Sequence, residues 1–337
     1  MKRFTFIMVM VSALMGCRKD LKFTKSADQP PKQEQSPSYQ VTTIAGGFPL
    51  PEGEKDGVGN QAAFFDPNGI AVSANGTIYV ADVNGNSIRK IIRDSVVTTI
   101  HFPPSPYGAE IPFAPLEIAV TGNNTVTFTQ NGGFRSEPSI ISYNPDWAGN
   151  PIVRARPLED YSFSGVSADP HYDLVWVTTD APFTRDYQLY RLDPLKNQLY
   201  TKLVPVDHTD PIARFKYIAA CLNNVKYVIT NQNTLYKYDE AGKLNPILPG
   251  VKFDDVTSLI ATKDGSTLYV VDSNSIKKLN VSSGVVQTIA EPDGSNTQKD
   301  GAGKAADVNA IKIALSANEK ALYFTNYNSL IRKISLM

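Results

Sequence analysis

The residue types that usually carry catalysis or bind metals are sparse in this chain. It has three histidines, His101, His171 and His208, and two cysteines, Cys17 and Cys221, among 337 residues. A three-histidine zinc site needs all three imidazoles in one place, and a nucleophilic cysteine needs an electropositive, accessible position. Cys221 lies in the apolar run YIAACL, which is typical of a buried small hydrophobic residue. The placement of the histidines depends on the elements that carry them.

Composition narrows the class of protein. Lys plus Arg and Asp plus Glu each number 33, so the formal net charge is zero, and this argues against a nucleic-acid partner. Hydrophobic residues make up 42% of the chain, which is enough for a sizeable core. Two cysteines do not suffice for a disulfide scaffold or a cysteine-rich zinc site. We expect no cofactor.

The N-terminal sequence MKRFTFIMVMVSALMGC is typical of an export signal. The basic pair Lys2-Arg3 precedes an apolar run that ends at Met15. This run spans about 18 Å as a helix, too short for a bilayer core of about 30 Å. Residues 14–17, LMGC, resemble a bacterial lipobox, whose cysteine is lipidated after cleavage. We predict a signal peptide at 1–16 and a membrane anchor on lipidated Cys17; the alternative is an ordinary secretory signal that contains a cysteine.

The segment that follows predicts a flexible tether, over residues 17–38. It is rich in Lys, Gln, Ser and Pro and offers little apolar surface to offset the entropy of ordering. A domain held in this way would work outside the cytoplasm, in the bacterial cell envelope. The Lys19-Asp20 step loosely resembles surface-export signals of some lipoproteins, which favours the outer membrane or the cell surface.

One unit recurs along the rest of the chain. Residues 66–92, DPNGIAVSANGTIYVADVNGNSIRKII, predict three strands separated by turns. The third strand returns six times, with its Ile or Leu at positions 88, 140, 189, 235, 276 and 331. Spacings of about 40–50 residues with several strands per unit are typical of a β-propeller.

The first five units gain a fourth strand, and the chain ends after the third strand of the sixth. The missing strand is VTTIAG from Val41, which precedes the first full unit. We therefore predict an all-β, six-bladed β-propeller over residues 39–337, closed by pairing of the N-terminal strand with the last blade. We expect it to be a monomer.

The amino-acid sequences of two repeats resemble a known family. Residues 56–91, DGVGNQAAFFDPNGIAVSANGTIYVADVNGNSIRKI, resemble an NHL repeat, and residues 300–334 are a looser copy. The resemblance implies a six-bladed propeller. Members and related propellers include amidating lyases, gluconolactonases and streptogramin lyases, and others bind proteins, glycans or RNA. It therefore supports the fold more strongly than any function.

Strand order sorts the candidate residues by face. With strands a to d in each blade, the d→a and b→c connections share one face, and the a→b and c→d connections share the other. His101 and His208 fall on the first face and His171 on the second. We therefore expect no three-histidine zinc site of the amidating-lyase kind, and no other metal site.

A polar residue ends strand b in every blade: Asp82, Gln130, Asp180, Asn231, Asp272 and Asn326. Such an oxygen-rich ring could hold Ca²⁺ or Mg²⁺, as in gluconolactonase-like propellers. We favour the alternative that these side chains bond their own backbone and start the b→c turn. The DGxG segments at 56–59 and 300–303 lie on the same face and are interpreted as turns rather than anion-binding loops.

Loops on this face are enlarged in blades 2 and 3, at residues 102–115, 131–138 and 180–187. They carry aromatic and arginine side chains, which are enriched in interface hot spots, and we predict that these bind a protein or a glycan: Tyr107, Phe134, Arg135, Phe183, Arg185 and Tyr187. The alternative is that the phenylalanines pack into their own loops.

The leading functional hypothesis is a lipid-anchored, extracytoplasmic binding or scaffolding module without catalytic residues. One alternative is a propeller enzyme, a lyase or lactone hydrolase with a central divalent metal. Another is a purely structural component of the envelope.

Overall fold

Alternating apolar residues and short turns rich in Gly and Asn produce a series of small antiparallel sheets. The computed structural model describes residues 39–47, 53–102, 112–130, 138–145, 153–155, 162–180, 189–194, 196, 198–203, 214–222, 224–239 and 241–336. All of them belong to one unit, Pro37–Met337. The predicted signal peptide, Cys17 and the tether lie outside the described residues.

The strands form six sheets, which are the blades of a propeller. Blade 1 contains β2 (Gly57–Val58), β3 (Pro67–Val72), β4 (Ile78–Asp82), β5 (Ser87–Ile92) and β6 (Val96–Ile100). Blade 2 contains β7 (Pro115–Val120), β8 (Val126–Gln130), β9 (Ser139–Tyr143) and β10 (Val153–Ala155). Blade 3 contains β11 (Ser162–Ala168), β12 (Val175–Asp180), β13 (Leu189–Asp193) and β14 (Gln198–Leu203).

The second half of the chain repeats this plan. Blade 4 contains β15 (Phe215–Ala220), β16 (Lys226–Thr230), β17 (Leu235–Tyr238) and β18 (Leu244–Pro246). Blade 5 contains β19 (Val256–Ala261), β20 (Thr267–Asp272), β21 (Ser275–Asn280) and β22 (Val286–Ala290). Blade 6 contains β1 (Gln40–Gly46), β23 (Gly301–Ala302), β24 (Ala310–Leu315), β25 (Ala321–Asn326) and β26 (Leu330–Ser335). Short 3₁₀ turns occupy Gly59–Gln61 and Gly303–Ala305.

The prediction of an all-β, six-bladed propeller is confirmed. Strand a of each blade contacts strand a of the next, through β3, β7, β11, β15, β19 and β24, and β24 also contacts β3. In blade 6, β1 pairs antiparallel with β26, from Val41 opposite Ile334 to Gly46 opposite Leu330. Among the described residues, no helix has the length and apolar character needed to cross a membrane.

Every strand a carries a β-bulge near its start. In β3 the register shifts between Pro67 and Ile70, and β7, β11, β15, β19 and β24 shift at the corresponding place. Bulges bend a strand and increase its twist, so the six strands can line a common channel. At the bulge of β3, a Cβ on Gly69 would lie 2.3 Å from the carbonyl oxygen of Leu116 in the next blade. Glycine is therefore required where blades 1 and 2 meet.

The core consists of six apolar clusters, one at each interface between neighbouring blades. Trp176 of blade 3 packs with Ile218 and Val228 of blade 4, for example. Cys221 is buried, as expected, and burial raises the pKa of its thiol to about 12. A thiol that stays protonated at neutral pH does not act as a nucleophile.

Candidate functional site

The polar residues at the end of strand b hold the backbone that enters strand a. Asp82 accepts hydrogen bonds from the N–H groups of residues 65 and 66, at 2.9 and 2.6 Å. Asp272 accepts two bonds of 2.9 Å from residues 254 and 255. Asn326 instead bonds the N–H of Asn328, within its own b→c turn. For these three residues the structural interpretation was right, and the expected partner, the backbone of the b→c turn, was right for Asn326.

The pairing of strand b with strand a also shows which residues occupy the same position at the end of strand b in each blade. We call these six positions the ring. Asp82 pairs with Pro67 on strand a, and the residues paired at the corresponding place in blades 3 and 4 are Thr179 and Thr230. Asp180 and Asn231 lie one residue further along, so assigning them to the ring was wrong. Two carboxylates therefore remain among the six positions. No group of three His, Cys, Asp or Glu side chains in the described part of the chain is placed to hold a metal ion.

Asp82 is fully buried. Burial and the nearby Glu54 carboxylate raise the pKa of Asp82 to about 6, although the backbone hydrogen bonds and Arg89 act in the opposite direction. The Arg89 guanidinium lies 3.8 Å from the Asp82 carboxylate and 3.3 Å from that of Glu54. The charge on Asp82 is therefore poorly compensated when the carboxyl ionises.

Arg89, on β5, holds the first DGxG segment in place. It is fully buried and donates hydrogen bonds to the carbonyl oxygens of Ala63 and Lys55, at 2.8 and 2.9 Å. It also pairs with the Asp56 carboxylate at 3.0 Å. Asp56 in turn accepts bonds from the N–H and the hydroxyl of Thr99 on β6, at 3.1 and 2.9 Å. The segment thereby links strand c to strand d.

The second DGxG segment makes the same contacts in blade 6. Arg332 is fully buried, bonds the carbonyl oxygens of Lys299 and Asp307, and pairs with Asp300 at 2.9 Å. Asp300 accepts bonds from the N–H and the hydroxyl of Thr43 on β1, at 2.8 and 2.9 Å. In blade 6, β1 therefore takes the contacts that β6 makes in blade 1. Both carboxylates stabilise turns, as their composition indicated.

A charged cluster lies inside the central channel. Lys312 of blade 6 donates a hydrogen bond to the Glu117 carboxylate of blade 2, and its ammonium lies 4.1 Å from the centre of the Tyr217 ring of blade 4. The Lys312 and Glu117 side chains are 8% and 16% exposed. Because these residues come from alternate blades, their contacts span the channel. We call Glu117, Tyr217 and Lys312 the channel cluster.

Electrostatics favour the pairing within this cluster. Burial raises the pKa of Glu117, and Lys312 opposes that effect. Burial alone would lower the pKa of Lys312, but the Glu117 carboxylate and Tyr217 raise it. Each charge thus depends on the other, which is the usual condition for keeping an ion pair away from water. Near the cluster, Lys216 bonds the carbonyl oxygen of Val256 at 2.6 Å.

On the a→b side of the cluster the channel opens into a cavity of about 510 Å³. Its mouth is a ring of half-buried apolar residues, one from strand a of each blade: Val72, Val120, Ala168, Ala220, Ala261 and Leu315. Deeper lies a second apolar ring: Ile70, Ile118, Val166, Ile218, Leu259 and Ile313. Six strands thus surround the cavity with two apolar rings, and polar groups of the a→b turns line its rim.

A smaller chamber of about 60 Å³ adjoins this cavity. The deeper apolar ring lines both spaces, and the chamber also meets the channel cluster and Ser258. Ser258 accepts a hydrogen bond of 3.2 Å from the N–H of Ile313. The channel therefore has a wide part with apolar rings on the a→b side and a small polar part next to the channel cluster.

The polar groups at the mouth of the cavity have structural partners. Asp169 accepts hydrogen bonds from the N–H groups of His171 and Tyr172 and from the indole of Trp176, the last at 2.7 Å. Glu319 accepts a bond of 2.6 Å from the N–H of Lys263. These polar side chains of the rim thus hold the backbone of their own and neighbouring turns.

The predicted binding residues of blades 2 and 3 lie outside the described residues: Tyr107, Phe134, Arg135, Phe183, Arg185 and Tyr187. They remain a prediction, for the face opposite to the cavity. His101 and His171 are exposed, and His208 also lies outside the described part. Sequence reasoning missed the cavity because its wall residues look like ordinary strand residues. A usable signal was the small residue repeated in strand a, as in Ala71, Ala119 and Ala219.

Comparison with known proteins supports the fold. Residues 64–91 match the NHL repeat family, and no curated protein sequence matches the chain. A protein of unknown function from Bacteroides thetaiotaomicron superposes with a TM-score of 0.65 at 19% identity, over 88% of this chain and 76% of that one. An auxiliary nutrient binding protein from the same organism gives 0.61 at 16% identity, over 88% and 76%.

Enzymes share this fold as well. A catalytically inactive histidine-to-alanine variant of virginiamycin B lyase from Staphylococcus aureus, in a structure with quinupristin, gives a TM-score of 0.57 at 14% identity. That match covers 89% of this chain and all of the lyase. Identities this low establish architecture and leave function to the site. The chain is a six-bladed β-propeller that carries an NHL repeat in its first blade.

Proposed function

We propose that this propeller is a ligand-binding module, held by a lipid anchor on the outside of the cytoplasmic compartment, and that its ligand enters the central cavity. The observation that carries the proposal is the cavity of about 510 Å³ built from strand a of all six blades, with two apolar rings and a polar rim. Ligand pockets are typically about 300–1,000 Å³, mainly apolar, with a few polar groups that fix orientation.

The electrostatics of the channel favour binding over acid–base chemistry. Glu117 and Lys312 neutralise each other, and Asp56, Asp82 and Asp300 serve the backbone of their own blades. A general acid or base needs a proton that it can exchange with a substrate. The fold shared with a nutrient binding protein agrees with a binding role, while the fold shared with a lyase makes turnover the outcome to test.

The binding role can be tested with the full-length chain in lipid nanodiscs. A panel of sugars, amino acids, peptides and small apolar compounds is screened by ligand-observed NMR. We expect hits that are lost in Ala220→Trp, which fills the mouth of the cavity, and kept in Ala302→Trp, an exposed control on β23. Turnover of a panel compound would overturn the binding role. Hits lost only in Arg135→Ala or Arg185→Ala would move the site to the predicted loops of blades 2 and 3.

The anchor is tested separately. Metabolic labelling with an alkyne fatty acid should mark the wild-type protein and not Cys17→Ser, because the lipobox cysteine is the acylated group. Cys221→Ser is the matched control, since Cys221 is buried in blade 4 and should not be labelled. Equal labelling of wild type and Cys17→Ser would refute the anchor while leaving the binding role intact.

A further inference from the structure

The sizes and linings of the cavity and the chamber restrict the size and chemistry of a ligand that could occupy both. The two spaces share one wall, a ring formed by Ile70, Ile118, Val166, Ile218, Leu259 and Ile313. A molecule in the wider cavity that extends past this ring has its end in the chamber. The two apolar rings of the cavity offer aliphatic contacts from every blade, and polar groups line its rim. The chamber, at about 60 Å³, is large enough for one small polar group and too small for a ring.

Hydrogen bonding in the chamber calls for a group that both donates and accepts. Lys312 has three N–H donors; one is given to Glu117, and the ammonium lies 4.1 Å from the centre of the Tyr217 ring, which leaves donors for a ligand. The Ser258 hydroxyl accepts from Ile313 and can still donate its own proton. The Glu117 carboxylate has a second oxygen that can accept. A hydroxyl or a carboxamide satisfies these groups together.

Charge restricts the end group further. The channel cluster contains one carboxylate and one ammonium in a closely paired, largely buried unit. The neighbouring Lys216 pairs with Asp255 at 3.6 Å, so the charges near the chamber are balanced in pairs. An added carboxylate or ammonium would bring an unpaired charge into the same confined space, and such a charge is strongly unfavourable away from water. The end group should therefore be neutral.

We infer that the channel binds a compact aliphatic molecule that ends in a neutral hydroxyl or carboxamide, with this end in the chamber against Lys312, Ser258 and Glu117. The inference rests on the proposed binding role and names the chemistry of its ligand. It also assigns an orientation, with the polar end pointing inward and the aliphatic body in the cavity.

The test uses three matched probes: cyclohexanecarboxamide, cyclohexanecarboxylate and cyclohexylmethylammonium. Their affinities for the full-length chain in nanodiscs are measured by NMR titration, with empty nanodiscs and Ala220→Trp as backgrounds. We expect the carboxamide to bind at least tenfold more tightly than either ion. Equal affinity of the three probes, or no binding at millimolar concentration, would overturn the inference.

Charge variants then test whether the probe reaches the chamber. Glu117→Gln keeps a hydrogen-bond acceptor and leaves a net positive charge, so the ratio of carboxylate to carboxamide affinity should rise at least tenfold. Lys312→Met should shift the preference toward the ammonium probe. A simple loss of stability would not shift the two variants in opposite directions. If Lys312→Met does not fold, Tyr217→Phe, which removes one hydroxyl next to Lys312, should weaken carboxamide binding several-fold.

The failures of the two proposals are distinguishable. Probes that are lost in Ala220→Trp but keep their ratios in Glu117→Gln would occupy the cavity without reaching the chamber. That result would overturn the inferred ligand chemistry and leave the binding role standing. Probes that bind equally to wild type and Ala220→Trp would reject the cavity as the site, and both proposals with it.

Discussion

Ionisation of Asp82 should weaken the fold. The side chain is fully buried, and burial, with the nearby Glu54, raises its pKa to about 6 from the ordinary value of 3.8. Between these values the folded protein holds a proton that the unfolded chain has released. The contribution of Asp82 to the free energy of unfolding is therefore highest below pH 3.8, falls as the pH rises through the folded pKa, and is constant above it. A shift of about two pKa units corresponds to about 3 kcal/mol.

The assay is urea unfolding of wild type and Asp82→Asn between pH 3.5 and pH 7.5. Because other titrating groups act on both proteins, the difference in their free energy of unfolding isolates Asp82. We expect that difference to change by about 3 kcal/mol across the window, with the wild type losing stability relative to the variant as the pH rises. Thr179→Val is the matched control at the same ring position, and it removes no ionisable group.

A difference that stays flat, or that changes in favour of the wild type with rising pH, would refute this reasoning. It would mean that Arg89 and the hydrogen bonds from residues 65 and 66 compensate the ionised carboxylate fully. The control should give a flat difference in either case. Its own stability should be equal to or slightly above that of the wild type, since the buried hydroxyl of Thr179 has no hydrogen-bond partner.

Two further predictions concern the interface between blades 1 and 2 and the two DGxG segments. Gly69→Ala should destabilise the domain by several kcal/mol, on the order of the largest single-residue effects, because its Cβ would meet the backbone of Leu116. Gly250→Ala, where a Cβ meets nothing within 4 Å, should have little effect in the same thermal unfolding experiment. Asp300→Ala and Asp56→Ala remove equivalent hydrogen bonds in blades 6 and 1, and each should cost about 1–3 kcal/mol in urea unfolding. A clearly larger loss for one of the two would show that the segments are not equivalent.

The repeat predicted the architecture because it is encoded locally. Turn residues and alternation recur in every unit, as in residues 66–92, and each strand can be located from its own neighbourhood. The ring at the end of strand b was predicted less well. Asp180 and Asn231 were assigned to the ring because each is the polar residue at the end of its predicted strand b. In the structure, the ring residue of each blade is set by the pairing of strand b with the bulged strand a. Bulges leave little trace in a sequence.

The channel cluster was beyond prediction for a different reason. Glu117 and Lys312 are separated by 195 residues, and each looks like an ordinary solvent-facing charge in its own strand. Arg89 and Arg332 likewise stand in alternating runs where a charged residue is usually exposed, yet both are fully buried. Their surroundings come from loops and strands of other segments. The environment of these residues is determined by contacts between segments that are distant in the chain, and a single sequence does not reveal such contacts.

The pairing of β1 with β26 sets the order in which the molecule can be completed. Val41 and Ile334, which face each other in this ladder, are 293 residues apart. Since the ladder cannot form until the last strand has been synthesised, β1 lacks its β26 partner while the five other blades assemble. Such long-range closure is slow compared with hairpin formation. A chain that ends before Leu330 would leave the edge of its first strand without this partner, so C-terminal truncation is the change that should most readily lead to aggregation or proteolysis.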